Sequence, residues 1–283
     1  MSLNSVNTNM GAMVALQSLE TTQHELSVTQ KQISTGYRVA DASDDGAAYA
    51  IAQGIRSTVG ALTSANQQLG NVQGLLSTTH SGLNNISNML SSMRDVLVKL
   101  ADSSIQASDR TNYEQQYSSM LANVKTFVQD ANYNGKTLIG DLTGSSGTFG
   151  RVAISRNENG STYGIASFSG SALYGSISFT TTQLGAAATV AALITATGTF
   201  LNQQNSLGKE LNTIGSTINY VNNQSTYNND KISSLNSGLG SLIDADLAKE
   251  SAQLTALQIR QQLGTQALSL ANQAPQTLLS LFK

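Results

Sequence analysis

The fold is decided by residues 62–100, which read "LTSANQQLGNVQGLLSTTHSGLNNISNMLSSMRDVLVKL". Alternating steps of three and four residues through this stretch place one set of side chains on a single seam, as in a coiled coil. The seam positions are Leu62, Ala65, Leu69, Val72, Leu76, Thr79, Leu83, Ile86, Leu90, Met93, Leu97 and Leu100. Only Thr79 among them is polar, so the pattern predicts one long helix over residues 44–100. At about 1.5 Å per residue this helix would span roughly 85 Å, too long for a compact globule of this size.

Two more seams predict helices that accompany the first. One precedes the turn "NYNG" (132–135), and Ser108 or Asp109 is its expected N-cap. The other lies far downstream and has two polar breaks, Ser225 and Asn228, which either fix helix register or mark looser packing. The first of these seams holds Tyr113, Tyr117, Met120, Val124, Phe127 and Ala131, and the second holds Leu207, Leu211, Ile214, Ile218, Val221, Ser225, Asn228, Ile232, Leu235, Leu239 and Leu242.

Residues 136–200 have a different character, because they are rich in Gly, Ser and Thr. The short alternating runs "RVAIS", "YGIASF" and "SISFT" predict strands, and "NENG" (157–160) predicts a turn between two of them. The run "AAATVAALITA" that follows predicts a helix. This segment is therefore expected to form a small β insert.

The two ends of the chain are amphipathic and low in charge. Neither has an obvious core to dock on, unless the ends dock on each other or on other chains. The closing stretch "SLANQAPQTLLSLFK" (269–283) contains the only proline, Pro275, which is expected to break the last helix before Phe282. The apolar positions with helical spacing are Leu3, Val6, Met10, Met13, Leu16, Leu19, Leu26 and Ile33 at one end, and Ile243, Leu247, Leu254, Leu257, Ile259, Leu263, Leu270, Leu278 and Phe282 at the other.

Composition argues against several functional classes. Charged residues make up only 11% of the 283 residues and the net charge is -2, which gives no electrostatic footprint for nucleic acid or for an anionic membrane. The chain has no Cys, so it has no disulfide and no thiolate chemistry. Its first twenty residues lack the basic and continuous apolar regions of a cleavable signal peptide, and no apolar run is long enough to span a membrane. If the protein is exported, an export system that does not read a cleavable signal peptide would be needed.

No catalytic or cofactor-binding constellation is recognisable. The stretch "DASDDG" (41–46) fills four early positions of an EF-hand loop, but Ala52 stands where the bidentate Glu should be. A capped helix start, with Ser43 or Asp44 as N-cap, explains it better. His24 and His80 have no partner ligand nearby in the sequence, so neither indicates a metal site. We therefore expect no enzyme activity, no cofactor and no metal.

Both ends of the chain resemble bacterial flagellin. The N-terminal likeness rests on "NSVNTN" (4–9) and "QISTGYRVADASDDGAAYAIAQGIRS" (32–57). The C-terminal likeness rests on "IDADLAKES" (243–251) and "QIRQQLGTQALSLANQAPQTLLSLF" (258–282), which is similar to the closing signature of the family. The resemblance covers roughly residues 1–140 and 200–283.

The resemblance implies a mainly α fold: a long coiled-coil-like helical bundle with paired N- and C-terminal helices and a small, β-hairpin-rich central insert. Residues 1–43 and 243–283 would be the inner-tube segments, 44–135 and 201–242 the long-helix core domain, and 136–200 the outer insert. The family exports its subunits unfolded through the flagellum's own channel, and they polymerise outside the cell as the filament that drives motility. Implied partners are copies of the chain, an export chaperone, and cap and junction proteins, with no nucleic acid and no membrane insertion.

The resemblance also assigns roles to particular residues. The apolar terminal positions would be subunit interfaces, buried on assembly: Leu3, Val6, Met10, Met13, Leu16, Leu19, Leu26, Ile33, Leu254, Ile259, Leu263, Leu270, Leu278, Leu279, Leu281 and Phe282. The segment "LSSMRDVLVKLAD" (90–102) lies where many flagellins are recognised by an innate immune receptor, and it includes Met93, Arg94 and Asp95. Ser92 stands where that stretch usually has an Arg, and this difference predicts weaker recognition.

Two alternative functions differ from a filament subunit. A hook–filament junction protein would share the terminal helices, although the ending "ANQAPQTLLSLF" favours flagellin. A secreted binding protein or adhesin would use the insert to hold a ligand. The insert is short and has few aromatic or charged anchors for that role.

Overall fold

The computed structural model describes the backbone of residues 8–281 and the side chains of residues 8–273. The described part is mainly helical, as the sequence predicts. Its helices are α1 (Met10–Thr35), α2 (Gly46–Leu100), α3 (Ala107–Asp130), α4 (Gly170–Ile177), α5 (Thr181–Gly185), α6 (Ala187–Leu193), α7 (Thr199–Ile243) and α8 (Leu247–Leu281). Its strands are β1 (Lys136–Thr137), β2 (Thr148–Phe149), β3 (Val152–Ser155) and β4 (Thr162–Ile165). The chain divides into two compact units, one of residues 58–232 and one of the residues before and after them.

The α2 seam forms the core of the unit of residues 58–232. All twelve predicted seam positions are buried, so the predicted periodicity is confirmed. Thr79, the polar exception, donates its hydroxyl hydrogen to the carbonyl of Leu75 at 2.8 Å, so its burial leaves no donor unpaired. Tyr117 from α3 and Leu207 and Val221 from α7 belong to the same buried cluster.

The start of α3 differs from the sequence prediction. The helix begins at Ala107, and neither Ser108 nor Asp109 is its N-cap; Gln106 holds that position without a side-chain cap. Arg110 instead joins this end of α3 to its surroundings, donating to the carbonyls of Leu100 (2.9 Å) and Leu184 (3.0 Å). The helix ends at Asp130, just before the "NYNG" turn, in which Asn134 and Gly135 have positive φ.

Asn228 lies in the α7 seam as a buried amide with partners on three sides. Its Nδ2 donates to Asn66 Oδ1 on α2 (2.9 Å) and to the carbonyl of Arg156 (3.1 Å). Its Oδ1 accepts a hydrogen bond from Gln224 Nε2 at 3.0 Å. These bonds favour register fixing over loose packing at this position, since a shift of α7 against α2 would break them.

The insert forms one antiparallel hairpin, β3–β4, around the predicted turn at 157–160. Glu158 in that turn forms an ion pair with Lys231 on α7. The predicted helix after the insert is present as α6. The strand predicted at "SISFT" is wrong, because Ser176 and Ile177 end α4.

Helix α4 extends into "SISFT" (176–180) because burial and capping stabilise the helix. Leu173 and Ile177, four residues apart, are both buried on one side of α4. The Ser169 side chain caps the helix, and Asp141 accepts from the Ser171 amide at 2.6 Å. Capping and core burial therefore outweigh a short alternating run.

The predicted break at Pro275 is also wrong, because α8 continues through that position to Leu281. A proline removes one backbone hydrogen bond, and the helix on either side of it can supply the others. Among the helices within residues 8–281, none combines the length and apolar character that crossing a membrane requires.

Candidate assembly surface

The terminal helices α1 and α8 pack against each other in antiparallel directions. Asn9 caps α1 through its Oδ1 and donates its Nδ2 to the carbonyl of Ala271 at 2.7 Å. Further along, Glu25 lies 3.7 Å from Arg260 in a partly exposed ion pair. The partners' numbers fall on α8 as they rise on α1, which defines the antiparallel arrangement.

Small residues bring the two helices close together. A methyl group added at Gly264 would lie 3.3 Å from Leu19 Cδ1, and one at Gly11 would lie 3.9 Å from Ala271 Cβ. Few side chains on the two helices are fully buried; Thr22, Thr29 and Leu257 are among them. Leu19, Leu26, Ile33 and Leu254 are half-buried. This pair therefore has a narrow contact rather than a deep core.

The same two helices expose a broad set of apolar side chains. Met10 is 64% exposed, Met13 60% and Leu270 71%. Leu16, Ile259 and Leu263 are also exposed. Val14 and Val28, which are not among the predicted terminal positions, are exposed as well. We call eight of these exposed side chains the terminal apolar surface: Met10, Met13, Val14, Leu16, Val28, Ile259, Leu263 and Leu270. Such a concentration of exposed apolar side chains is typical of a surface that another molecule covers.

Some of the terminal positions predicted to assemble lie outside the described residues. These are Leu3, Val6 and Phe282, together with the side chains of Leu278, Leu279 and Leu281.

Backbone hydrogen bonds join the segment that follows α1 to the segment that precedes α8. Gly36 ends α1 with a φ of 74°, which suits glycine. The amides of Arg38 and Val39 both donate to the carbonyl of Ile243, and the Ala245 amide donates to the carbonyl of Gly36. The Arg38 guanidinium adds a bond of 2.6 Å to the carbonyl of Leu242. These bonds hold the two connecting segments side by side.

A lysine and two aspartates brace the loop between α1 and α2. Lys31 Nζ lies 2.7 Å from Asp41 Oδ2 and 2.8 Å from Asp44 Oδ1. The hydrogen bond from Lys31 holds the pKa of each carboxyl below its ordinary value, and the two carboxylates raise the pKa of Lys31. Neither Ser43 nor Asp44 is the N-cap of α2, because Asp45 Oδ1 accepts from the Ala47 and Ala48 amides. No sequence pattern reveals the role of Lys31, because its partners Asp41 and Asp44 lie on the loop that follows α1.

The segment "LSSMRDVLVKLAD" (90–102), which the resemblance connects with receptor recognition, lies on α2 up to Leu100. Met93 is buried in the core, while Arg94 and Asp95 are exposed. Ser92 is exposed too, and its hydroxyl donates to the carbonyl of Asn88 at 3.3 Å. Met93 therefore contributes to packing, whereas Ser92, Arg94 and Asp95 beside it are exposed.

Comparison with known proteins gives a consistent result over the whole chain. The bacterial flagellin N-terminal helical region matches residues 6–143, and the bacterial flagellin C-terminal helical region matches residues 190–282. The chain is 32% identical to flagellin FljM of Caulobacter vibrioides over 287 residues, covering 100% of both chains. It is 33% identical to a flagellin of Brucella melitensis over 286 residues, covering 99% of both.

A solved structure shares the fold. A Vibrio parahaemolyticus protein assigned as flagellar hook-associated superposes with a TM-score of 0.56 at 16% identity, covering 71% of this chain and 100% of that one. At that identity the likeness concerns the fold alone. The matches to both flagellin regions and the full-length flagellin relatives show that the chain belongs to the bacterial flagellin family, whose members are structural subunits of the flagellar filament.

Proposed function

We propose that this subunit polymerises through the terminal apolar surface, which neighbouring subunits cover in the filament. The observation that carries the proposal is the exposure of large apolar side chains on both α1 and α8 although the two helices already pack on each other. Full burial of one such side chain contributes about 1.5–3 kcal/mol, and a filament repeats the gain at each subunit. The low charge of the chain keeps the cost of desolvation small.

The proposal extends to the layers of the filament. Residues 1–43 and 243–283 form the inner tube, the long helices within 44–135 and 201–242 surround it, and the insert at 136–200 faces outward. Leu3, Val6, Leu278, Leu279, Leu281 and Phe282 would extend the terminal apolar surface. This arrangement accounts for apolar residues at both ends of the chain and for the Gly-, Ser- and Thr-rich composition between them.

Export precedes assembly in this account. The subunit would pass unfolded through the flagellum's own channel, held beforehand by an export chaperone, and join the filament beneath a cap protein and beyond the junction proteins. One sequence feature supports this route: the absence of Cys means that no disulfide can obstruct unfolding. The comparisons give no support to the adhesin alternative.

The test is to place charge on the terminal apolar surface. The double variant Leu263→Glu/Leu270→Glu changes two exposed side chains of α8, so the subunit should keep its helical circular dichroism and its unfolding temperature. Burying two carboxylates at each interface should raise the critical concentration about tenfold or more, measured by sedimentation and electron microscopy. Asn159→Glu, at the exposed hairpin turn, is the matched control and should polymerise normally.

The two variants separate the possible outcomes. Filaments of the double variant at the wild-type critical concentration would contradict the proposal. Loss of filaments in Asn159→Glu would show that the insert is an inter-subunit contact.

A further inference from the structure

The methionines of this chain fall into two groups by exposure. Met10 and Met13 are largely exposed on α1, whereas Met93 on α2 is 0% exposed, in the hydrophobic core. Met89 and Met120 are partly buried against that core. Met1, the sixth methionine, lies outside the described residues.

Met10 and Met13 also share a position on the helix. They are three residues apart, so their side chains lie on one face of the first turns of α1. Val14, equally exposed, extends this face. Two thioether sulfurs are thus presented to solvent on the surface that the proposed function assigns to subunit contact.

We infer that Met10 and Met13 are an oxidation site, and that oxidation of this pair blocks assembly. The oxidant is a peroxide, which accepts two electrons from the sulfur. The thioether sulfur attacks one peroxide oxygen, a sulfur–oxygen bond forms and the oxygen–oxygen bond breaks. The leaving hydroxide takes the proton of the sulfur-bound hydroxyl, which gives the sulfoxide and water. Sulfur is oxidised by two electrons and hydrogen peroxide is reduced to water, so the step balances with no further reactant.

The product changes the chemistry of the surface. A sulfoxide replaces a flexible apolar thioether with a polar group that requires hydrogen-bond partners when buried. A subunit interface over α1 offers apolar side chains to that group, so an oxidised monomer is excluded. Subunits already in the filament are protected because their Met10 and Met13 are covered. This inference rests on the proposed function.

The experiment exposes the full-length monomer and, separately, preformed filaments to hydrogen peroxide, followed by peptide mass spectrometry and sedimentation. In the monomer, Met10 and Met13 should oxidise about tenfold faster than Met93, since reactivity follows exposure. In filaments, the oxidation of Met10 and Met13 should be about tenfold slower than in the monomer. The variant Met10→Leu/Met13→Leu conserves volume and should polymerise before and after peroxide treatment. The control Met89→Leu/Met120→Leu should polymerise only before treatment.

The results separate the two claims. Equal oxidation of Met93 in the monomer would overturn the inference, and so would loss of assembly in oxidised Met10→Leu/Met13→Leu, which would assign the effect to another residue. Equal oxidation of Met10 and Met13 in filament and monomer would contradict the protection, and the inference with it. If the wild-type subunit, with Leu263 and Leu270 intact, fails to assemble without peroxide, the proposed function itself is wrong.

Discussion

At the scale of single residues, Asn228 shows how a buried amide can specify the pairing of two helices. Replacing it with Ala leaves Asn66 Oδ1 without the donor on α7 and removes one of the two side-chain donors to the carbonyl of Arg156, the other being Gln224 Nε2. The free energy of unfolding in urea should fall by about 1–3 kcal/mol. Asn222→Ala is the matched control, because Asn222 is an exposed α7 amide bonded to Gln73, and it should cost about 0.5 kcal/mol or less. Equal losses in the two variants would mean that burial of Asn228 has no special role.

Lys31 gives a prediction about pH at the same scale. Its bonds lower the folded-state pKa of Asp41 and Asp44 below their ordinary value of 3.8, so below that value the unfolded chain binds more protons than the folded one. Their contribution is present above about pH 4 and is lost as pH falls through the lower folded-state pKa values. Thermal unfolding should therefore show a smaller loss between pH 5 and pH 2 in Lys31→Ala than in wild type. Lys125→Ala, at an exposed position on α3, should keep the wild-type slope, and an unchanged slope in Lys31→Ala would contradict the ion-pair account.

At the scale of elements, Arg110 joins the end of α2 to the start of α3. Its guanidinium donates to the carbonyls of Leu100, Asp102 and Leu184, a fork that a lysine cannot reproduce. Arg110→Lys should lower the free energy of unfolding by about 2–3 kcal/mol, measured in urea. Arg151→Lys, at an exposed position beside β3, should change it by about 0.5 kcal/mol or less. If Arg110→Lys lowers the free energy of unfolding no more than Arg151→Lys does, solvent replaces the three guanidinium hydrogen bonds.

The sequence predicts elements well where periodicity is long and poorly where a single contact decides. The α2 seam repeats over twelve positions, and every one of them is buried as predicted. The start of α3 depends on Arg110 reaching Leu184, seventy-four residues away, which no local pattern reveals. "SISFT" fails for the same reason, since the burial of Leu173 and Ile177 is a tertiary effect. On the terminal apolar surface, the sequence indicates most of the apolar positions, but not Val14 and Val28. It also does not indicate which positions the α1–α8 contact covers.

At the scale of the whole molecule, the resemblance to flagellins predicts how strongly an innate immune receptor recognises the subunit. Ser92 and Arg94 are both exposed on α2, but Ser92 lacks the bidentate donors of the Arg that the resemblance places there. We expect weaker activation of the flagellin receptor in a reporter-cell assay than with flagellins that carry the full motif. Ser92→Arg should raise the potency, and Ser91→Arg, at the exposed neighbouring position, should not. Equal potency of wild type and full-motif flagellins would refute this expectation.

For the whole molecule, we propose that α1 and α8 become buried when subunits join. Isolated pairs of amphipathic helices with narrow contacts are marginally stable in water, so both should exchange rapidly in the monomer and order fully on assembly.

Hydrogen–deuterium exchange on monomer and filament measures this directly. Peptides from residues 10–35 and 247–273 should become about a hundredfold or more better protected in the filament, while the hairpin turn at 157–160 should change little. Equal protection of the terminal peptides in both states, with new protection at the turn, would contradict the account.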